Sequence, residues 1–367
     1  MPTHHEDTPI TVTLGSPTLI QPSNGDTWEA AWADDGDLYV TSDDTTGFDN
    51  KVHSNLAYHR LSGDAVSLKG ETVNGMQEYG GFCELGPDHC CWKACGNTCV
   101  DGTLYAWVSR HDYGQRSGDP TKRQTASNAS LIKSTDHGRT WVRTAKENYD
   151  RPMFPGRRFG APFFIQYDQD YGGGADGSDR FVYAVSNNGF WDNGDDMILG
   201  RVPRGRIGNL NAGDWQSFKG GDGGGEAAWT LKLAEAAPII RNPGKCSMTG
   251  AQYLAPLKRY LLVQWYYPCG GGKNGNNRET VWDFYFSPTP WGPWKAEASW
   301  KNSQHGYYNP CVVGKFVRND ACDLILFTAG RWDDEAVYKL TLLPCRLTVN
   351  PWSVGRRKEV VGGTKTT

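Results

Sequence analysis

The sequence predicts an all-β fold made of short strands joined by turns and loops. The 367 residues include 45 Gly, 20 Pro, 15 Trp and 17 Tyr, and long apolar runs are few. Five weakly similar units follow one another, each with an apolar strand, a turn, an aromatic strand, a polar loop and a further strand or hairpin. One unit cannot bury both faces of its sheet, whereas several stacked radially can. We therefore expect a single-domain, five-bladed β-propeller with long loops on its funnel face.

The five units define the predicted blades in order. The first contains TWEAAWADDGDLYVTSDDTTGF, and the second runs from CVDGTLYAWVSRHDYG to ASLIKSTDHGRTWVR. The third begins at APFFIQYDQD, the fourth joins GAQYLAPLKRYLLVQWYYP to TVWDFYFSPTPWGPW, and the fifth joins NPCVVGKFVRNDACDLILFTAGR to AVYKLTLLP. We expect one domain over 1–352 and a C-terminal tail at 353–367, with blades near 20–75, 76–145, 155–220, 235–300 and 303–350.

Charge and hydropathy exclude two classes of partner. The net charge is −3 and the pI is about 6.2, without any run of Lys or Arg that would indicate a nucleic-acid or membrane surface. No stretch is long and apolar enough to span a bilayer. No Asp-rich calcium-binding loop is present, so no cofactor is expected, although a structural Ca²⁺ in the central channel stays open. We expect a monomer.

Ten cysteines are many for a cytosolic protein of this length. Five of them crowd into one segment, at Cys83, Cys90, Cys91, Cys95 and Cys99. The short spacings would also suit a zinc cluster with His89 as an additional ligand. The others are scattered as disulfide partners would be, at Cys246, Cys269, Cys311, Cys322 and Cys345. The pattern favours disulfide bonds, and therefore secretion to the extracellular space.

Propeller geometry predicts where a site would lie. The innermost strand of a blade starts at the funnel face and the second strand ends there, so the residues at those points surround one central pocket. The aspartates that this rule selects as catalytic candidates are Asp26, Asp43, Asp44 and Asp112, with Asp192 as a further acid. The residues expected to bind substrate are Arg110, His111, Arg158, Asn188, Trp191, Trp265, Tyr307, Asn309, Arg331 and Trp332.

Carboxylates beside flat aromatic side chains suit the cleavage of a sugar polymer. Glycosidic bond hydrolysis commonly needs one protonated carboxyl group and one ionised one. Consecutive strand residues point to opposite faces, so only one of Asp43 and Asp44 is expected to face the pocket, and we favour Asp44. Asp26 is the leading partner, followed by Asp112 and Asp192.

Two other functions remain open. His111 or Tyr113 could act as the base of a polysaccharide lyase, with Arg158 neutralising the carboxylate of a uronic acid. The three predicted arginines, Arg110, Arg158 and Arg331, could instead pair with acids of the pocket and lower the pKa values of those acids. A non-catalytic carbohydrate-binding propeller would use the same aromatics without turnover.

Three motifs carry a resemblance to known families. Ser134 to Trp141 reads S-x-D-x-G-x-T-W, similar to the Asp box of sialidase-like propellers. The segment Gly25 to Phe48, together with Pro290 to Trp294 (PWGPW), resembles a family of five-bladed propellers long described as a domain of unknown function, some of whose members are endo-D-arabinanases. The resemblance implies a retaining or inverting hydrolase with Asp26 and Asp44 in its site. The segment Cys83–Cys99 and the run Ser42-Asp43-Asp44 depart from the bacterial pattern.

The sequence therefore predicts a secreted glycoside hydrolase that cleaves a polysaccharide, with an arabinan-type furanoside as one candidate substrate. The lyase and the binding module are the alternatives.

Overall fold

The computed structural model describes residues 10–114, 124–173, 180–222, 225–268, 279–302, 306–318 and 322–349. It confirms the all-β prediction, because 23 strands and one six-residue α-helix make up its regular structure apart from short 3-10 turns. The tail predicted at 353–367 lies outside the described residues. None of the helices in the described part of the chain is long and apolar enough to cross a membrane.

The elements are numbered in chain order. The first ten strands are β1 (Ile10–Leu14), β2 (Thr18–Leu19), β3 (Asn24–Asp26), β4 (Ala30–Trp32), β5 (Leu38–Gly47), β6 (Ser54–Ser62), β7 (Lys69–Asn74), β8 (Cys91–Val100), β9 (Thr103–His111) and β10 (Ala126–Ser134). Helix α1 (Ala145–Asp150) follows, and Thr144 starts it with a capping box to Glu147. The other strands are β11 (Pro162–Gln166), β12 (Phe181–Asn187), β13 (Gly194–Pro203), β14 (Gln216–Phe218), β15 (Trp229–Thr230), β16 (Pro238–Cys246), β17 (Ala251–Leu254), β18 (Arg259–Tyr266), β19 (Thr280–Ser287), β20 (Lys295–Asn302), β21 (Tyr308–Val312), β22 (Asp323–Ala329) and β23 (Leu340–Val349).

Short 3-10 helices lie between several strands. They span Gln77–Tyr79, Gln169–Tyr171, Arg204–Asn209, Ala212–Asp214, Glu226–Ala228, Leu233–Glu235 and Gly314–Phe316.

Hydrogen bonding groups the strands into four sheets. The first follows the order β3-β5-β6-β7 with β4 also on β5, and the second follows β10-β9-β8. The third contains ten strands, in the order β15-β14-β13-β12-β11-β17-β18-β19-β20, with β16 on β13. It joins the regions predicted as blades three and four through a parallel pairing of β11 with β17, at Ile165↔Ala251 and Gln166↔Gln252.

The fourth sheet brings the two ends of the described chain together. Its order is β1-β23-β22-β21, with β2 also paired to β23. Strand β1 runs antiparallel to β23 from Ile10↔Val349 to Leu14↔Cys345. An element from the start of the chain therefore completes the sheet made by its last strands.

The core consists of aromatic side chains between sheets. The largest fully buried side chains include those of Trp28, Trp107, Trp265 and Trp282. Strand β8 packs so closely on β11 that a Cβ atom at Gly96 would lie 2.4 Å from the Cα of Phe163. Only glycine allows this approach of two backbones.

The turn after β10 is held by its own side chains. Asp136 accepts hydrogen bonds from the Thr140 amide at 2.9 Å, the Thr140 hydroxyl at 2.6 Å and the Ser134 hydroxyl at 2.7 Å. The Trp141 indole donates to the Gly138 carbonyl at 3.1 Å. These bonds give Asp136 a structural role.

The prediction of disulfide bonds is wrong for the described cysteines. All nine are free thiols: Cys83, Cys90, Cys91, Cys95, Cys99, Cys246, Cys311, Cys322 and Cys345. Cys91, Cys95 and Cys99 follow each other at four-residue steps along β8, which separates them by about 13 Å and prevents pairing among them. Burial raises the pKa of Cys91 to about 12, which disfavours the thiolate that zinc requires. The seven buried cysteines pack as small apolar residues, whereas Cys83 is exposed and Cys322 is partly buried. Cys269 lies outside the described residues.

Candidate active site

Three aspartates meet at one end of the first sheet. Asp26 ends β3, and Asp43 and Asp44 lie on β5, with Asp26 and Asp43 paired directly across the two strands. The register shifts at Gly25, whose φ of 135° is open to glycine, and a Cβ there would lie 2.8 Å from the Thr45 hydroxyl. The extra residues lie on β5, where Asp44, Thr45 and Thr46 face Gly25, and the backbone angle of this glycine lets β3 follow the irregularity before Asp26.

Asp26 is buried and receives hydrogen bonds from a distant strand. The Tyr308 hydroxyl on β21 donates to Oδ2 at 2.5 Å, and the Thr27 hydroxyl donates to Oδ1 at 3.2 Å. Burial raises the pKa of Asp26 to about 6, with Lys93 opposing the rise and Asp44 adding to it. A carboxyl group with this pKa carries its proton for a large part of the time near pH 6.

Asp44 is held by two donors. The Tyr113 hydroxyl lies 2.8 Å from both carboxylate oxygens, and the Lys93 ammonium forms an ion pair with Oδ2. The backbone of Asp44 is left-handed, with φ of 40°, a conformation uncommon for non-glycine residues and often found at functional sites.

Asp43 also faces this cluster. Its Oδ1 accepts a hydrogen bond from the Ala94 amide of β8 at 2.8 Å. Burial raises its pKa well above the ordinary value, although Lys93 opposes the rise. The left-handed residue at Asp44 interrupts strand alternation, and both carboxylates lie near Lys93, with 8% of Asp44 and none of Asp43 exposed. That only one of the two faces the pocket stays a prediction.

Lys93 is a charged member of this cluster that sequence reasoning missed. It lies on β8 within the run CCWKACG, where the cysteines dominated the interpretation. Its side chain is 3% exposed and its ammonium lies 5.0 Å from the centre of the Tyr113 ring. Burial alone would lower the pKa of Lys93, but Asp44 and its other neighbours raise it well above the ordinary value. A single lysine among small and apolar residues was the signal in the sequence.

His111 and Tyr113 are engaged by neighbouring groups. His111 Nε2 lies 3.1 Å from Gln124 Oε1, and the Tyr113 amide donates to Nδ1 at 3.3 Å. Burial, with the Lys93 charge, lowers the pKa of His111 to about 4. Burial also raises the pKa of Tyr113, whose hydroxyl donates to Asp44. Both ring nitrogens of His111 are engaged, and the raised pKa of Tyr113 keeps its hydroxyl protonated, so neither side chain is prepared to act as a lyase base.

Asp112 stabilises its own loop. Its carboxylate accepts hydrogen bonds from the Gly114 amide at 2.8 Å, the Thr125 amide at 2.7 Å and the Thr125 hydroxyl at 2.7 Å. Asp192 is buried, and burial raises the pKa of Tyr267, to which the charges of Asp192 and Asp26 add.

The three candidate arginines are each bound to an acid. Arg110 contacts Asp88 at 2.6 Å and 3.1 Å. Arg158 contacts Asp196 at 2.7 Å. Arg331 contacts Asp333 at 2.9 Å and 3.1 Å. Of the two open interpretations, this geometry favours pairing with protein acids over a clamp for a substrate carboxylate.

The predicted aromatic residues divide into buried and exposed members. Trp265 is 1% exposed and packs on Tyr308 with ring centres 5.6 Å apart, so it supports the donor to Asp26. Trp191 is buried with its ring 4.8 Å from that of His111. Trp332 is 54% exposed. Tyr307 is partly buried, and its carbonyl accepts a hydrogen bond from the Trp282 indole at 2.6 Å.

The two predicted asparagines have separate partners. Asn188 donates to Asp195 at 3.0 Å. Asn309 donates to Glu29 at 3.0 Å. Burial raises the pKa of Glu29 to about 8, so this carboxyl group is protonated at neutral pH. Glu29 is a further buried acid, and the sequence analysis did not identify it.

A group with metal-ligand chemistry lies away from the cluster of Asp26, Asp43 and Asp44. Asp34, Asp35 and His137 place ligand atoms within 4.8 Å of one another, the one such group in the described part of the chain. His137 Nε2 lies 3.0 Å from Asp34, a hydrogen bond that accounts for the arrangement. Asp34 and Asp35 precede β5, whereas Asp43 and Asp44 lie about 17–20 Å from the start of that strand.

Comparison with solved structures finds a shared fold. A candidate hydrolase from Bacteroides ovatus aligns over 88% of this chain and 85% of that chain, with 12% sequence identity and a TM-score of 0.53. An exo-β-1,3-galactanase from Clostridium thermocellum has 15% identity and a TM-score of 0.47, over 91% of this chain and 62% of that one. The RS223 β-xylosidase has 12% identity and a TM-score of 0.47, over 92% and 96%. No family model and no curated protein matches the sequence. The first likeness supports the fold alone, so function has to be argued from the site.

Proposed function

We propose that this protein is a glycoside hydrolase built on a five-bladed β-propeller. The ten-stranded sheet counts as two blades joined by β11 and β17, and the other three sheets count as one blade each. The observation that carries the activity is a pair of buried aspartates, Asp26 and Asp44, held beside one buried lysine. Glycosidic bond cleavage commonly uses two carboxyl groups in different protonation states.

The two aspartates have environments suited to different roles. Asp26, with its pKa near 6, is the candidate acid that gives its proton to the leaving oxygen as the glycosidic C–O bond breaks. Asp44 is bound by an ammonium and a phenol, so it is the candidate base for water or the nucleophile at the anomeric carbon. Asp26 and Asp44 keep 9% and 8% of their surface exposed, whereas Asp43 keeps none. Asp43 is therefore assigned to support rather than to contact with substrate.

Product analysis on a polysaccharide panel tests the proposal. The panel contains D- and L-arabinans, other neutral glycans and uronic-acid polymers, and new reducing ends are measured with absorbance at about 235 nm, which marks elimination. We expect reducing ends without absorbance, and loss of at least about 10³-fold activity in Asp26→Asn and Asp44→Asn. Asp34→Asn, at an exposed turn, is the matched control and should keep wild-type activity.

Other results would replace this proposal. Absorbance with new ends would indicate a lyase, although His111 and Tyr113 are both engaged. Binding without cleavage would indicate a carbohydrate-binding module. A polymeric substrate outside the cell would require export, so secretion is proposed on that ground and no longer on disulfide bonds.

A further inference from the structure

Lys93 connects the aspartate cluster to a second sheet. Its strand, β8, belongs to the sheet β10-β9-β8, whereas all three aspartates belong to the first sheet. The ammonium is buried, forms an ion pair with Asp44 and lies over the Tyr113 ring. The adjacent amide of Ala94 donates to Asp43. Two consecutive residues of β8 thus contact two consecutive aspartates of β5.

We propose that Lys93 is a positioning residue, whose buried ammonium holds the Asp44 carboxylate in place opposite Asp26 and sets the charge of the whole aspartate cluster. The inference rests on the proposed function, because it assigns Lys93 to the same reaction. Lys93 has no role in any motif of the sequence.

The charges around Lys93 balance only if some of the neighbouring carboxyl groups stay protonated. The titratable groups that interact with its ammonium are Asp26, Asp43, Asp44, Tyr113, Cys83, Cys91 and His111. Three of these groups are carboxyls, and one cation compensates one carboxylate. The direct ion pair gives that compensation to Asp44, which leaves Asp26 and Asp43 to share the burial cost by keeping protons.

The groups facing Asp26 determine how removal of Lys93 would change the titration midpoint of Asp26. They are Lys93, Asp44, Asp43, Tyr308, Tyr338 and Tyr267. Lys93 is the one cation in this set, and the tyrosines act as neutral donors or neighbours. Removing Lys93 should therefore raise the titration midpoint of Asp26, and removing the Asp44 charge should lower it.

The experiment follows the Asp26 carboxyl carbon by NMR titration of the full chain labelled with ¹³C-aspartate, with the signal assigned by its loss in Asp26→Asn. Lys93→Met should raise the midpoint by about one pH unit or more, and Asp44→Asn should lower it. The double variant Lys93→Met/Asp44→Asn should lie at least about one unit above Asp44→Asn. Lys133→Met is the matched control, because Lys133 lies on β10 and binds the Gly208 carbonyl. It should leave the midpoint unchanged.

The comparison of Asp44→Asn with the double variant stays informative if Lys93→Met fails to fold, because the double variant leaves no unpaired carboxylate from this ion pair. Equal midpoints in those two proteins would overturn the proposal, as would an equal shift in Lys133→Met. A positioning role also predicts that Lys93→Met lowers kcat and shifts the pH profile while substrate KM stays within about threefold.

The titration needs no substrate, so the two proposals fail separately. If the midpoints shift as expected but the protein cleaves no substrate, the charge coupling by Lys93 is supported and the proposed glycosidase activity is rejected. If the protein cleaves substrate but the midpoints do not shift, the glycosidase activity is supported and the proposed role of Lys93 is rejected.

Discussion

At the scale of single residues, the protonation of Asp26 depends on donors and charges that lie far from it in sequence. Tyr308 is 282 positions away, and Lys93 lies on another sheet. Each favours the ionised carboxylate, while burial favours the protonated form. The pKa of about 6 is the result of this competition. Small changes in either group should therefore move the pH range in which Asp26 can donate a proton.

Replacement of Tyr308 by Phe tests this balance. The change removes a hydrogen bond that stabilises the carboxylate, so the pKa of Asp26 should rise above 6. For a general acid, the high-pH limb of kcat/KM should then move upward by up to about one pH unit. Tyr79→Phe removes a buried hydroxyl bound to Asn148 and should leave the profile in place. A downward shift in Tyr308→Phe would contradict the assignment of Asp26 as the acid.

Glu29 makes stability depend on pH. Its pKa is about 8 in the folded protein and 4.5 in the unfolded reference, so the folded state binds the proton more tightly. The free energy of unfolding should consequently fall as pH rises from 4.5 to 8, by at most about 5 kcal/mol from this group. Asp26 and Asp43 contribute in the same direction. In Glu29→Gln, the free energy of unfolding from urea denaturation should depend less on pH across this range. An unchanged pH dependence would contradict the raised pKa of Glu29.

At the scale of elements, strand β8 combines several roles. It packs on β11 at Gly96, supplies Lys93 to the aspartates and buries three thiols. Its cysteine spacing indicated an oxidised insertion, because sequence pattern alone does not distinguish thiols paired in a bridge from thiols packed in a core. The hairpin chemistry of Asp136 was readable from the Ser134–Trp141 motif, since its contacts are local. Partners from other sheets were not, and this explains why Asp26 and Asp44 were predicted without Lys93.

The close approach of β8 and β11 should be sensitive to one methyl group. In Gly96→Ala the new Cβ meets backbone atoms at 2.4 Å and 2.6 Å, which cannot move aside as a side chain can. We expect a loss of about 3 kcal/mol in the free energy of unfolding. Gly205→Ala adds the same methyl group where nothing lies within 4 Å, so it should change stability little. Equal effects in chemical denaturation would show that the packing between these strands is looser than described.

At the scale of the whole molecule, β1 connects two sheets. It pairs along its length with β23, and the Ile10 amide donates to Glu297 of β20 at 3.1 Å. Glu297 in turn binds Arg259 at 3.0 Å. The all-β class and the rough order of the units were predictable from aromatic strands and turn residues. The merging of two units into one sheet was not, because it depends on the β11–β17 pairing between distant segments.

Deletion of residues 1–16 should destabilise the entire fold. It removes buried Ile10 and the half-buried side chains of Val12 and Leu14, and it exposes the edge of β23. The expected loss is at least about 3 kcal/mol in the free energy of unfolding, measured by urea denaturation. Thr11→Ala, at an exposed position of the same strand, should cost less than about 0.5 kcal/mol. A truncated protein as stable as the full chain would contradict the contribution of β1.

The pairing of β1 with β23 also bears on how the protein is made. Of the described strands, β1 is synthesised first and β23, with which it pairs, is synthesised last. While the strands between them are made, β1 therefore has no pairing partner. The fourth sheet can close only after β23 has left the ribosome.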